Sequence, residues 1–335
     1  MLPDNSPTAA PLVDGHGRMI RYLRVSVTDR CDLRCRYCMS EQMTFLPRAK
    51  LATLDELAII TERFIARGVR KVRLSGGEPL VRRDVIDLVH RLGRHVGETL
   101  DELTMTTNAT RLDRHAADLA AAGIRRINVS LDTRDPDRFR FITRTGDLNQ
   151  VMAGIVAAHT AGLAVKINMV ALKDFNEDEI APMLTWCMAE GHDLTLIETM
   201  PLGDVGEDRT DRFLPLTAVQ ADLTARFRLE RDLVGTGGPA RYWRVAGSRT
   251  RIGFISPLTA NFCDGCNRVR LTTEGKLYTC LGHDDSRDLK AALRSGSIAG
   301  LDAAIADALA TKPRRHDFRI GASPAVSRHM SVTGG

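Results

Sequence analysis

The chain reads as an α/β protein: a partial (β/α)6 TIM-like barrel followed by a smaller C-terminal domain that carries a second group of cysteines. Three observations predict this. Over the first two thirds, short runs rich in Val, Ile, Leu and Thr alternate with amphipathic helical patterns, the texture of buried parallel strands joined by crossover helices. Gly68, Gly123, Gly162 and Gly191 each follow a helical pattern, where a left-handed cap is expected. The alternation stops near residue 200 after six units, short of the ~250 residues typical of an eight-unit barrel. An open barrel is therefore expected, with its chemistry at the C-terminal ends of the strands.

In order, the strands are expected at 21–28, 71–75, 102–107, 126–131, 165–172 and 194–199. The helices between them are expected over 54–67, 84–96, 113–122, 150–161 and 177–190. Thr53 and Asp84 supply start signals for the first two. After Pro201 the texture changes. A Gly/Asp/Glu/Arg stretch over 202–212 reads as a linker. A helix near 217–226 follows, then strands near 241–245 and 251–255. Residues 269–281 alternate around Glu274-Gly275, a hairpin signal. Helices are expected near 288–294 and 301–309, and the tail from Lys312 is basic and irregular. The expected division is 14–212, 213–311 and a tail over 312–335.

The 335 residues suffice for one large domain or one large and one small. An apolar share of 43% and a charged share of 27% suit a soluble globular protein with a core of ordinary size. No apolar run approaches the ~18–20 residues of a membrane span, and the start of the chain shows no signal peptide. Seven cysteines clustered in threes are unlike a secreted disulfide framework, so a reducing, cytoplasmic setting is expected. Of the 47 basic residues only seven are Lys. Genome composition explains such a bias most simply; phosphate binding, which suits the Arg fork, is the functional alternative.

The most informative motif is Cys31-x-x-x-Cys35-x-x-Cys38. Three thiolates lie within eight residues, with no fourth cysteine or histidine nearby. A closed four-ligand site cannot be built locally. The spacing suits a cubane iron–sulfur cluster whose fourth iron stays open to a non-protein ligand. A zinc knuckle borrowing a distant ligand is the alternative. Tyr37 supplies apolar sheathing of the kind that tunes such clusters. Ser75-Gly76-Gly77-Glu78-Pro79 ends the second strand: its glycines let bare backbone approach a ligand, and Glu78 can accept from an ammonium. A second group, Cys263-x-x-Cys266 with Cys280 beyond the hairpin, again offers three thiols; zinc with His283 added is its alternative. Arg268 and Arg270 lie two apart on one strand, hence on one face, and make an anion seat. Cys187, in a helical pattern, reads as core packing.

The first cysteine motif and the glycine turn resemble the radical S-adenosylmethionine (SAM) superfamily. The resemblance narrows to the GTP 3',8-cyclase (MoaA) family of molybdenum cofactor biosynthesis. It is carried by Leu23-Arg24-Val25-Ser26-Val27-Thr28-Asp29-Arg30, by 71–83, Thr106-Thr107-Asn108, 125–132, the Cys263-x-x-Cys266-x-Arg268-x-Arg270 segment and the Gly334-Gly335 ending. It runs from about Asp14 to the end of the sequence. It implies a C-terminal auxiliary iron–sulfur cluster domain and two [4Fe-4S] clusters. Tyr37, Gly76, Gly77, Glu78, Ser130 and Met200 then match SAM-side positions. Arg24, Arg73, Thr106, Lys166, Arg268, Val269 and Arg270 match GTP contacts, and Gly334 and Gly335 a tail reaching into the barrel mouth.

The implied reaction is that of a lyase. SAM chelates the open iron, and one electron releases a 5'-deoxyadenosyl radical. That radical removes hydrogen from ribose C3' of GTP, and the carbon radical attacks guanine C8. The product is (8S)-3',8-cyclo-7,8-dihydroguanosine 5'-triphosphate. Implied partners are a flavodoxin or ferredoxin as electron donor and cyclic pyranopterin monophosphate synthase (the MoaC family) downstream. No nucleic acid or membrane partner is expected, and the state is monomer or homodimer. Three positions depart from the family pattern: Ala109 replaces a glycine, Thr195 replaces an arginine, and the ending reads Ser331-Val332-Thr333-Gly334-Gly335. Two other readings remain at this point: a peptide-modifying radical SAM maturase, and a non-catalytic iron–sulfur or zinc protein.

Overall fold

Six parallel strands form where the sequence predicts them: β1 (Tyr22–Ser26), β2 (Lys71–Ser75), β3 (Glu102–Thr107), β4 (Arg126–Ser130), β5 (Ala164–Ala171) and β6 (Asp193–Glu198). They are seen in a computed structural model that describes residues 10–205, 211–232, 237–319 and 325–334. Consecutive strands pair in register from β1 to β6. The helices between them are α1 (Leu54–Ala66), α2 (Val85–Gly93), α3 (Leu112–Ala121), α4 (Pro136–Thr143), α5 (Leu148–Thr160) and α6 (Ile180–Glu190). Helix α1 starts in a capping box, with Thr53 accepting from the Glu56 amide and Glu56 reaching back. Asp84 differs from expectation: its φ of 60° is left-handed and its side chain caps nothing. Helix α4 was not foreseen. Asp135 accepts from the amides of Asp137 and Arg138, and Pro136 fills the first position, where its missing N–H costs nothing.

Alternation along each strand separates two faces. Leu23, Val25, Val72, Leu74, Leu103 and Met105 are essentially unexposed and join the core formed with Leu57, Phe64, Leu88 and Leu92 of the helices. Each such side chain contributes about 1.5–3 kcal/mol on full burial. The opposite face carries polar residues in cross-strand rows.

The C-terminal third adds β7 (Leu229–Asp232), β8 (Arg241–Val245), β9 (Arg251–Ile255), β10 (Arg268–Leu271), β11 (Lys276–Tyr278) and β12 (Ser286–Asp288), with α7 (Leu216–Phe227), α8 (Leu289–Arg294), α9 (Ile298–Ala310) and α10 (Met330–Thr333). The β10–β11 hairpin is the one the sequence predicts. The region does not form its own sheet. β9 runs parallel beside β6, and β10 parallel beside β1, in one twelve-stranded sheet ordered β12-β11-β10-β1-β2-β3-β4-β5-β6-β9-β8-β7. The physical reason is edge satisfaction: an open six-stranded wall leaves two rows of unpaired N–H and C=O groups. The C-terminal strands pair with both.

Candidate active site

The glycine turn and the first cysteine loop are built on one another. Gly77 N–H donates to the Thr28 carbonyl and Glu78 N–H to the Arg30 carbonyl, each at 2.8 Å. A Cβ on Gly76 would lie 2.2 Å from the Thr28 oxygen, and one on Gly77 2.2 Å from the Arg30 oxygen. Only glycine lets the strand-two turn lie against the segment entering Cys31. Glu78 is wholly buried. Its carboxyl accepts from Leu80 N (3.0 Å), Thr107 Oγ1 (2.8 Å) and Asn108 N (2.7 Å). Burial pushes its pKa up to about 7 against those bonds. Glu78 thus braces the turn from behind. Asn108 continues the brace: its Nδ2 donates to Asp32 Oδ1 at 2.8 Å and contacts Cys31 Sγ at 3.7 Å.

Cys31, Cys35 and Cys38 are partly buried and form no disulfide. Burial raises the pKa of Cys31 and Cys35, reinforced for Cys31 by Glu78 and for Cys35 by its sister thiols. The loop is pinned to the end of α4 by Arg34 N and Arg36 N, which donate to the Thr143 and Ile142 carbonyls at 3.0 Å. Tyr37 donates to Asp132 Oδ2 at 2.7 Å; burial raises the Asp132 pKa to about 6. Ser130 ends β4 half-buried. Met200 follows β6 and packs on Leu202, Phe318 and Val326.

Between the two cysteine groups lies the polar face of the sheet. Register places Arg270, Arg24 and Arg73 side by side on β10, β1 and β2, and Arg268, Tyr22 and Lys71 in the row beneath. Arg24, Arg73, Lys166 and Arg270 are buried. Among the described residues, no carboxylate forms an ion pair with any of these four or with Arg268. Burial lowers the pKa of Arg73 to about 10, and that of Lys166 and Arg270 well below their ordinary values, with neighbouring cations adding to the effect. Tyr22 reports the same field. Burial alone would raise its pKa, yet Arg73, Arg24, Lys71 and Arg268 bring it down to about 7. Buried polar atoms without partners line this face too: Arg73 Nε, Ser75 Oγ, Thr106 Oγ1, Thr195 Oγ1 and Thr199 Oγ1. Such groups are costly and fit a polar, anionic ligand. Val269 differs from its neighbours: its side chain is unexposed in the core, leaving only its backbone for a ligand.

The tail enters the same space. Gly334 O accepts from Arg270 Nη1 at 2.9 Å and from Arg24 Nη1 at 3.3 Å. Its φ is 72°, and an added Cβ would lie 1.9 Å from Ser75 Oγ. Gly335 lies outside the described residues. The second cysteine group sits at the foot of β10: Cys263 and Cys266 share a tight turn, and Cys280 follows β11. Burial raises the Cys280 pKa; at Cys266 burial is overcome by Arg268 and Lys312, and the pKa is lowered. A cavity of about 350 Å³ opens beside Cys266, Phe262 and Arg268. The His283 ring donates through Nε2 to the Arg315 carbonyl at 3.0 Å. Among the described residues no three His, Cys, Asp or Glu side chains close on a single metal ion. A cubane instead spreads its thiolates over different irons, and both groups have the thiols and partly sheltered positions that suit it.

Several residues on the polar face escaped the sequence reading: Tyr22, Lys71, Glu102, Arg126 and Tyr242. Lys71 and Arg126 share Glu102, at 2.6 Å for Lys71, and Lys166 contacts the Tyr242 hydroxyl. For Tyr22, Lys71, Glu102 and Arg126 the signal was parity, since each sits an even number of residues from a foreseen site residue on its strand; Tyr242, paired with Asp232 and Gly253, had no such signal. Thr195 leaves β6 without the cation the family pattern carries there.

A model of the radical SAM superfamily matches residues 25–187, and one for molybdenum cofactor synthesis, C-terminal, matches residues 192–318. The chain is 59% identical over 331 residues to the GTP 3',8-cyclase of Agrobacterium fabrum, covering 97% of this chain and 95% of that protein. It is 57% identical to the GTP 3',8-cyclase of Erythrobacter litoralis, covering 98% and 99%. Among solved structures, Streptococcus suis SuiB bound to S-adenosylmethionine aligns with a TM-score of 0.62 at 16% identity, over 88% of this chain and 68% of that one; this likeness shows the fold alone. By its near full-length similarity to such relatives, the chain belongs to the GTP 3',8-cyclase family of the radical SAM superfamily.

Proposed function

We propose that this protein converts GTP to (8S)-3',8-cyclo-7,8-dihydroguanosine 5'-triphosphate, the first step of molybdenum cofactor biosynthesis. The observation that carries the assignment is a set of cations with no carboxylate partner among the described residues, the buried Arg24, Arg73, Lys166 and Arg270 and the half-buried Arg268, on the face between the two cysteine groups. A triphosphate brings several negative charges to that face and offsets the cost of burying them. No comparable feature favours a peptide.

Cys31, Cys35 and Cys38 hold one [4Fe-4S] cluster, and Cys263, Cys266 and Cys280 a second. When bound, the first cluster and SAM supply the electron and the hydrogen-abstracting 5'-deoxyadenosyl radical. The chain's share is placement. Tyr37, Gly76, Gly77, Ser130 and Met200 line the SAM side, with Glu78 holding the turn. Arg24, Arg73, Thr106, Lys166, Arg268, the Val269 backbone and Arg270 seat GTP. Gly334 and Gly335 close the mouth and exclude water, with the Gly334 carbonyl held by Arg24 and Arg270, two of the cations that seat the substrate. Segment 14–212 thus carries the radical source and the Arg24, Arg73, Thr106 and Lys166 side of the substrate seat, segment 213–311 the second cluster with Arg268, Val269 and Arg270, and segment 312–335 the strap. A flavodoxin or ferredoxin supplies electrons in the cytoplasm, cyclic pyranopterin monophosphate synthase takes the product, and the enzyme works as a monomer or homodimer. Among the described residues no helix is long and apolar enough to cross a membrane.

The test is anaerobic reconstitution with iron and sulfide, then SAM, dithionite and GTP. Both 5'-deoxyadenosine and a cyclised nucleotide are expected. Absence of 5'-deoxyadenosine overturns the radical chemistry; its formation without a nucleotide product overturns the substrate. Full turnover after removal of Gly334 and Gly335 overturns the role of the tail.

A further inference from the structure

Lys312, just beyond α9, is 3% exposed and has no role in the reading above. Its ammonium donates to the Arg268 carbonyl at 3.2 Å and to the Thr279 carbonyl, and lies 3.6 Å from Cys266 Sγ. These acceptors bracket the second cysteine group. Arg268 stands two residues after Cys266, and Thr279 directly precedes Cys280. The ammonium therefore ties both strands of the hairpin to one thiol.

The position is built from outside as well. Arg18 Nη2 donates to the Pro313 carbonyl at 2.7 Å, while its Nη1 donates to those of Arg314 and Cys263, both at 2.8 Å. Asp14 fixes Arg18 through Nε at 2.6 Å. The segment carrying Lys312 is thus laced to the Cys263 turn by a second, independent set of bonds. Burying an ammonium costs several kcal/mol unless charge or dipoles compensate. Two carbonyls are present, but among the described residues no carboxylate pairs with Lys312. Its charge is directed at the thiols.

We propose that Lys312 is a positioning residue whose charge sets the reduction potential of the iron–sulfur cluster held by Cys263, Cys266 and Cys280. This rests on the reading that those cysteines hold such a cluster. Reduction adds one negative charge to a cluster, so a fixed cation at its sulfur favours the reduced form and raises the potential. A hydrogen bond to sulfur acts in the same direction.

The experiment uses the full chain with Cys31, Cys35 and Cys38 replaced by Ala, so that only the second cluster forms. Iron and sulfide content, the electron paramagnetic resonance signal of the reduced form and a potentiometric titration are measured with Lys312 intact and in Lys312→Met, Lys312→Gln and Lys312→Arg. Expected are one four-iron cluster in each, a midpoint shifted to more negative potential in the Met and Gln variants, and recovery of most of the shift in Arg. An unchanged midpoint in an iron-loaded Met or Gln variant overturns the proposal. So does an Arg variant shifted as far as Met, since charge is then not the determinant. Loss of iron from both uncharged variants makes Lys312 a structural clamp and also overturns it. No iron uptake with Lys312 intact overturns the cluster assignment itself, a failure distinct from the others.

Discussion

Tyr22 shows how strongly the polar face is charged. Its phenol titrates near 10 when unfolded and near 7 in the fold. Between those values the folded state has lost a proton that the unfolded state keeps. Its contribution to stability is therefore absent below about pH 7 and grows as pH rises towards about 10. In protein not yet loaded with clusters, we expect a tyrosinate absorbance titrating near pH 7 that disappears in Tyr22→Phe. Adding GTP should push that titration upward, because the triphosphate competes for the same cations. A lone titration near the ordinary phenol value would refute this. Ala109 offers a second test. Its φ of 64° suits the glycine that the family resemblance implies there, since a side chain in that conformation costs roughly 1–2 kcal/mol. Ala109→Gly should raise the thermal midpoint, with a net gain of up to about 1 kcal/mol after the chain-entropy cost of glycine. A lowered midpoint would show that the buried methyl matters more than the strain.

The element proposed to line the SAM side is the turn after β2, clamped between the segment entering Cys31 and the turn after β3. Gly77→Ala forces a methyl against the Arg30 carbonyl, an overpacking cost of about 1–3 kcal/mol. The expected result is a folded protein that binds SAM poorly, forms little 5'-deoxyadenosine and holds less iron at the first loop; normal 5'-deoxyadenosine formation would contradict the clamp. This turn was legible in the sequence because it stands one strand after the cysteine motif; alone, glycine, carboxylate and proline at a strand end usually mark only a loop. The strands were legible because short runs rich in Val, Ile, Leu and Thr alternate with helical patterns. Helix α4 escaped although Asp135-Pro136 carries its start signal; with only eight residues, the helix shows little periodicity. Lys71, Arg126 and Tyr22 escaped because an isolated polar residue in an apolar run looks incidental until strand register gathers it with others. Lys312 escaped because its partners lie 33 to 46 positions away and are mostly backbone carbonyls, which leave no mark on side-chain pattern.

At the scale of the molecule, the C-terminal third completes the barrel wall rather than standing apart from it. The pairing of β9 with β6 and of β10 with β1 is invisible to periodicity, since a strand does not record which edge it will join. A fragment ending at residue 212 would expose both β1 and β6 as bare edges. We expect it to aggregate and to lack a cooperative thermal transition, and to regain solubility when co-expressed with the remaining segment. A monomeric fragment that unfolds cooperatively would show that the six-stranded wall stands alone. The pairing of Arg24 with Arg270 also sets an order of events during synthesis. Residue 24 leaves the ribosome well before residue 270, its neighbour in the proposed substrate seat. A nascent chain carrying the first three cysteines but not β10 therefore lacks half of the proposed seat for the nucleotide, and the capacity to turn a radical onto it would arrive only with that later strand.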